Sequence, residues 1–133
     1  GGGGDNLAVN WQIVSPATPT FIIEAEDFDT GGGQHQPAAS EMPYLGGAYE
    51  GLSATAGIDY NDPGNAESVT YRANDQGVAI NLITQDKSRP TWEVTNDYRV
   101  GWNDPGDWYN YTREFPAGEY YVMARAASGG QPM

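Results

Sequence analysis

The stretch Asp107-Trp108-Tyr109-Asn110-Tyr111-Thr112-Arg113-Glu114-Phe115 decides the fold, because its side chains alternate with the two-residue period of a β-strand. Residues 116–118, Pro-Ala-Gly, form a predicted turn, and residues 119–126 return as a second alternating run. The pattern therefore predicts a β-hairpin. One face is expected to carry Tyr109, Tyr111 and Phe115, and the other Trp108, Asn110, Thr112 and Glu114.

The rest of the chain repeats this short-strand pattern. Its 18 glycines and 9 prolines interrupt nearly every stretch long enough for a helix. Further strands are predicted at residues 7–14, 21–26, 67–72, 77–83 and 91–99. We therefore expect an all-β fold, built as a sandwich or barrel of antiparallel strands.

A length of 133 residues fits one domain. Residues 21–133 are assigned to that domain, and residues 1–20 form an N-terminal extension that opens with four glycines. The strand predicted at 7–14 within the extension has one apolar face, made of Leu7, Val9, Trp11 and Ile13.

The charge of the chain limits its partners. Asp and Glu number 18 against 6 Lys and Arg, a net charge of −12. Such a field repels nucleic acid and anionic membrane surfaces, whereas it suits neutral polymers and cations. No apolar run approaches the roughly 20 residues that span a bilayer. The alternative is that the acids only keep the surface soluble.

Several short motifs follow one another in a recognisable order. Ile23-Glu24-Ala25-Glu26 places two acids around an alanine, and Val100-Gly101-Trp102 precedes a turn. Gly106-Asp107-Trp108 opens the next strand, and Gly118-Glu119-Tyr120 and Arg125-Ala126-Ala127-Ser128 come after it. In this order the motifs resemble the family 6 carbohydrate-binding modules over about residues 21–129. The resemblance implies a jelly-roll-like β-sandwich that binds polysaccharide without catalysis, is secreted or on the cell surface, and holds a structural calcium.

A first sugar site is expected at Trp102, beside a turn where its ring can stack on the C–H face of a sugar. Asn103 and Asp104 are placed to bond sugar hydroxyls. Tyr49 or Tyr60 is a candidate for the opposing aromatic ring. The alternative is that Trp102 plugs the core behind the turn. The ligand is expected to be a neutral or uronic polysaccharide.

A second sugar site is implied at Trp108, with Asn110 and Glu114 on the same strand face. The alternative is that Trp108 only covers the outer sheet. Asn110-Tyr111-Thr112 is also an N-glycosylation sequon, although it lies within a predicted strand.

Glu24 and Glu26 are the candidate calcium ligands, because side chains two apart on a strand point the same way and calcium prefers oxygen ligands. A solvated or inward-facing polar pair is the alternative. No catalytic residue is assigned, since the single histidine, His35, has no nucleophile near it in sequence. A glycosidase remains the rival enzymatic interpretation.

Members of the family continue with further strands beyond the position of Met133, so the sandwich is expected to have an open edge that favours self-association. In one interpretation, residues 7–14 of one subunit complete the sheet of the next and build an extracellular filament or adhesin. Simple truncation is the competing interpretation.

Overall fold

The computed structural model describes residues 22–33, 43–64, 71–73, 75, 77–84, 87–89 and 91–126. These residues contain four short strands and no helix. The strands are β1 (Tyr60–Asn61), β2 (Ala79–Ile83), β3 (Asp97–Gly101) and β4 (Trp108–Tyr109).

The strands form two antiparallel pairs. In one, β2 faces β3 with Ala79 opposite Gly101 and Ile83 opposite Asp97. In the other, β1 faces β4 with Asn61 opposite Trp108. The prediction of an all-β fold with antiparallel strands is therefore confirmed for the described part of the chain, and β2 lies within the strand predicted at 77–83.

One apolar core joins the two pairs of strands. Ile80 of β2 and Tyr60 of β1 both belong to it. Its other fully buried members are Phe28, Tyr49, Tyr71 and Val78, and the half-buried side chains packed against it are Leu52, Ala54, Tyr98, Val100, Tyr109 and Tyr111. Tyrosines dominate this core, so many of its rings bring a hydroxyl group that needs a hydrogen-bond partner.

The alternation predicted for residues 108–114 is present, although only Trp108 and Tyr109 have strand pairing. Tyr109, Tyr111 and Arg113 turn inward, while the residues between them are exposed. The backbone continues the pairing through single bonds: Asp29 N–H donates to Asn110 O at 2.8 Å, and Asn110 N–H donates to Asp59 O at 2.9 Å.

The strand predicted at 91–99 begins only at Asp97, as β3, and two other strand predictions are wrong. Residues 119–126 form no strand and are exposed, so the hairpin is not closed, and Phe115 is 50 % exposed instead of sharing the inner face. The chain turns at residues 25–26, so residues 22–26 are not a strand either. Instead, Arg89 pairs with the Glu24 carboxylate and Arg72 donates to the main-chain oxygen of Glu26. The strand predicted at 7–14 and residues 67–70 lie outside the described residues.

Gly46 shows how tightly the loops pack against β3. Its φ is +85°, and a Cβ there would lie 1.9 Å from the main-chain oxygen of Asn96. Gly51 has a similar φ of +75°, but nothing lies within 4 Å of its Cβ position. The two glycines thus share the backbone conformation and differ in the space around them.

We expect Gly46→Ala to destabilise the protein by at least about 2 kcal/mol more than Gly51→Ala. Both changes carry the left-handed penalty of about 1–2 kcal/mol, but only the first forces a backbone apart. Urea denaturation of the two variants measures the difference. Equal losses would show that the 45–47 loop does not pack on Asn96 as described.

Candidate functional site

A buried arginine organises the acidic segment 26–29. The Arg72 side chain is excluded from solvent, and its guanidinium donates to the main-chain oxygens of Glu26 (3.3 Å), Phe28 and Asp29 (3.0 Å). The guanidinium also lies 3.7 Å from the centre of the Phe28 ring and forms an ion pair with Asp75 at 2.8 Å. Arg72 therefore replaces the sheet neighbour that this segment lacks.

A second arginine holds the same segment from the other side. Arg113 donates to the main-chain oxygen of Asp27 at 2.6 Å and pairs with the Asp29 carboxylate at 3.3 Å. Asp29 in turn accepts bonds from the backbone N–H (2.6 Å) and hydroxyl of Thr112. These contacts hold segment 26–29 against Thr112 and Arg113, which follow β4 along the chain.

The remaining buried acids are held by tyrosines and backbone N–H groups. Asp27 accepts hydrogen bonds from the hydroxyls of Tyr44 and Tyr71, the latter at 2.6 Å. Asp59 accepts bonds from the backbone N–H groups of Gly32 (2.9 Å), Gly33 and Thr55 (2.7 Å), and so shapes the loop of three consecutive glycines. Burial raises the pKa of Asp27 despite these donors.

Two identical tetrapeptides meet at one end of the molecule. Asn61-Asp62-Pro63-Gly64 follows β1, and Asn103-Asp104-Pro105-Gly106 precedes β4, so the pairing of β1 with β4 brings the two turns together. The Asn61 amide donates to Gly106 O at 3.3 Å. We call these two segments, 61–64 and 103–106, the twin turns.

Each half of the twin turns is braced by side chains of the other or of β4. The Tyr109 hydroxyl lies 2.7 Å from both the Asp62 carboxylate and the side-chain oxygen of Asn103. Within the second turn, the Asp107 carboxylate accepts the Asp104 N–H at 2.6 Å, and Asp107 N–H donates back to Asp104 O at 3.0 Å. These bonds brace the twin turns, and we call the surface that the twin turns form beside Trp102 the rim.

Trp102 stands at the entrance to the second turn in a strained conformation. Its φ is +54°, a region that residues other than glycine rarely occupy, and its side chain is 55 % exposed. Asn103 and Asp104 are exposed beside it. The sequence prediction that these three residues lie together at a turn agrees with this geometry, and the alternative of Trp102 as a core plug does not.

The opposing aromatic ring proposed from the sequence requires correction. Tyr49 is fully buried, and its ring centre lies 5.4 Å from the guanidinium of Arg72 and 5.2 Å from that of Arg113. Tyr60 is also buried, at 3 % exposure, against Phe28. Neither ring is accessible to a sugar, because both are buried in the apolar core.

The second predicted surface has a weaker set of groups. Trp108 is 38 % exposed, and Asn110 and Glu114 are exposed on the same side of the chain. The Asn110 amide nitrogen donates to Ile58 O at 2.7 Å, so one of its two N–H donors is already used within the protein. In the predicted sequon, the Asn110 amide thus bonds Ile58 O, and the Thr112 hydroxyl bonds the Asp29 carboxylate.

The two candidate calcium ligands have different environments. Glu24 forms an ion pair with Arg89 at 2.8 Å, and Arg89 also pairs with Asp97 at 2.9 Å. Glu26 is buried, and one of its carboxyl oxygens has no hydrogen-bond partner. Within the described ranges, the acids and histidines form no group of three placed to hold a metal ion. His35 lies outside those ranges.

Sequence reasoning did not assign several residues that build the site. Asp62 and Asn61 were detectable from the tetrapeptide Asn-Asp-Pro-Gly, which occurs twice in the sequence. Arg113 was detectable from the alternation, because it shares the inner face with Tyr109 and Tyr111. No local pattern marked Arg72 as buried.

Comparison of the chain with protein-family models, with curated proteins and with solved structures finds no match. In the part of the chain that the structure describes, no helix is long and apolar enough to cross a membrane.

Burial, reinforced by the neighbouring carboxylate of Asp27, raises the pKa of Glu26 from 4.5 to about 9. The folded protein thus keeps a proton on Glu26 at pH values where the unfolded chain has lost it. This contribution to stability is fully present below pH 4.5 and falls by about 1.4 kcal/mol per pH unit as the pH rises towards 9.

We expect Glu26→Gln to flatten the decline in unfolding free energy between pH 5 and pH 8, because glutamine keeps the shape and cannot ionise. Asp27 and Asp75, whose pKa values burial also raises, leave a residual slope. Urea denaturation at several pH values gives both slopes. Parallel curves for wild type and variant would contradict the assignment.

Proposed function

We propose that the protein is a non-catalytic, extracellular carbohydrate-binding module on a jelly-roll-like β-sandwich, and that Trp102 and the twin turns bind polysaccharide. The observation that carries the proposal is the strained and exposed Trp102. A left-handed tryptophan and an exposed indole ring both cost stability. A flat apolar ring with Asn103 and Asp104 beside it is the arrangement that sugar recognition uses.

The Trp102 surface is favoured over the Trp108 surface by its hydrogen-bonding groups. The Asp104 carboxylate is exposed and acts as an acceptor for sugar hydroxyls. The Asn103 side-chain oxygen contacts Tyr109, which leaves the amide nitrogen directed to other partners. At Trp108, by contrast, the Asn110 amide donates to the protein backbone.

We expect Trp102→Gly to remove polysaccharide binding and to stabilise the fold at the same time. Glycine occupies φ +54° without strain, so the unfolding free energy should rise by about 1 kcal/mol. Loss of the stacking ring should weaken binding by about tenfold or more. Affinity electrophoresis on a panel of soluble polysaccharides and urea denaturation measure the two effects.

Trp108→Ala is the matched control, since it removes the exposed indole of the second predicted surface. Binding that survives this change and is lost in Trp102→Gly supports the proposed site. The reverse result would indicate that the sugar binds at the Trp108 surface. Hydrolysis of the bound polymer would show that the protein is a glycosidase and not a non-catalytic module.

Calcium binding through Glu24 and Glu26 is part of the same proposal. Glu26 has the unpartnered buried oxygen that a cation would satisfy, whereas Glu24 would have to be shared with Arg89. Binding requires Glu26 without its proton, so the affinity for calcium should increase with pH.

We expect calcium to raise the melting temperature at pH 8 more than at pH 6, and Glu26→Gln to abolish the response. A ligand that binds only the folded state stabilises by about 2.7 kcal/mol at a hundredfold excess over its Kd. Magnesium serves as the control ion. If neither calcium nor chelator changes the melting temperature at either pH, the protein does not bind calcium at Glu24 and Glu26.

Self-association through an open edge, as in a filament or adhesin, is the second candidate. Tyr121, Val122 and Met123 are 77 %, 92 % and 62 % exposed and follow one another on an extended segment. Such a run is an expected site for pairing with another chain.

If this segment mediates assembly, the sedimentation coefficient should increase with protein concentration, and Val122→Asp should suppress the increase. Wild type that remains monomeric at the highest soluble concentration would contradict assembly through residues 119–126.

A further inference from the structure

The charged groups around Trp102 bear on which polysaccharide the proposed site accepts. Three carboxylates belong to the twin turns and their brace: Asp62, Asp104 and Asp107. Asp62 and Asp104 converge on Gly64, whose Cβ position would lie 3.4 Å from the first and 3.9 Å from the second. The rim beside Trp102 is therefore locally acidic.

Five of the six basic residues of the chain are committed elsewhere. Arg72 and Arg113 are buried beneath segment 26–29, and Arg89 is paired with Glu24 and Asp97. Lys87 donates to Thr95 O, and Arg125 donates to Ser88 O. None of these contacts involves the twin turns.

Arg99 is the sixth basic residue, and it is exposed on β3 opposite Asn81. Its neighbours Tyr98 and Val100 pack towards the core, so Arg99 points to the outer side of the strand. Of the three carboxylates, that of Asp104 is exposed, that of Asp107 is half-buried and that of Asp62 is buried. Together they outnumber the single cation of Arg99, so the site keeps a net negative charge.

We infer that the Trp102 site takes uncharged polysaccharides and discriminates against chains of uronic acids. The inference rests on the proposed function and narrows its ligand class. Carboxylates only accept hydrogen bonds, so they suit the hydroxyl donors of neutral sugars. The carboxylate of a uronic acid offers no proton in return and adds repulsion at close range.

The test uses pairs of polysaccharides that differ only at C6. Suitable pairs are a β-mannan with β-linked polymannuronate, and a β-glucan with the polyglucuronate obtained from it by oxidation at C6. We expect the neutral member of at least one pair to bind in a Trp102-dependent manner. At low salt its uronate partner should bind with an affinity at least about tenfold lower. The ratio should narrow as salt screens the charges.

Asp104→Asn tests the local origin of the selectivity, because it removes one rim charge and keeps the shape. We expect it to reduce the ratio of neutral to uronate affinity several-fold. Glu93→Gln is the matched control: Glu93 is exposed and precedes β3, whereas Asp104 lies in the turn that follows that strand. It changes the net charge equally and should leave the ratio unchanged.

The outcomes separate the two claims. Trp102-dependent binding of uronates as tight as that of their neutral partners would overturn this inference and leave the proposed function standing. A shift of the ratio by Glu93→Gln as large as that by Asp104→Asn would assign the selectivity to the net charge of −12 and overturn the local explanation. Absence of Trp102-dependent binding in every pair would overturn both claims.

Discussion

The buried guanidinium of Arg72 is the contact on which the rest of the structure depends. It holds three main-chain oxygens of segment 26–29, stacks on Phe28 and pairs with Asp75. Removing one partner of such a buried pair typically costs about 3–5 kcal/mol. The segment also bonds Asn110 and Thr112, which follow β4 along the chain. The contact of Arg72 therefore helps to position β4 and the second of the twin turns, which precedes it.

A shortage of cations explains the tyrosine-rich core. Buried acids outnumber the two arginines beneath them, since Glu26, Asp27, Asp29, Asp59 and Asp75 are all almost fully excluded from solvent. A buried carboxylate needs donors, and tyrosine hydroxyls and backbone N–H groups supply them where no basic residue is present. Tyr71 therefore serves both as a core side chain and as a donor to Asp27, and Tyr44 donates to the same carboxylate.

Period-two alternation predicted the all-β class and the inward face of residues 109–113, because local side-chain pattern and burial agree there. It failed at residues 22–26 and 119–126. The first segment is held by Arg72, a partner more than forty residues away that no local pattern reveals, and the second is exposed along its length. The position of Trp102, Asn103 and Asp104 at an exposed turn was predictable, because Pro105 and Gly106 follow them in the sequence. Tyr49 was not, since burial beneath two distant arginines depends on the tertiary fold.

The central claim is that an exposed, strained tryptophan and two matching turns form one ligand surface. An NMR titration of the labelled protein with a neutral oligosaccharide from a bound polymer tests it most directly. We predict that the shifts concentrate on the Trp102 indole and on the amides of residues 61–64 and 103–106, while those of Trp108 and residues 110–114 stay unchanged. Shifts centred on Trp108, or none at Trp102 under saturating ligand, would contradict the account.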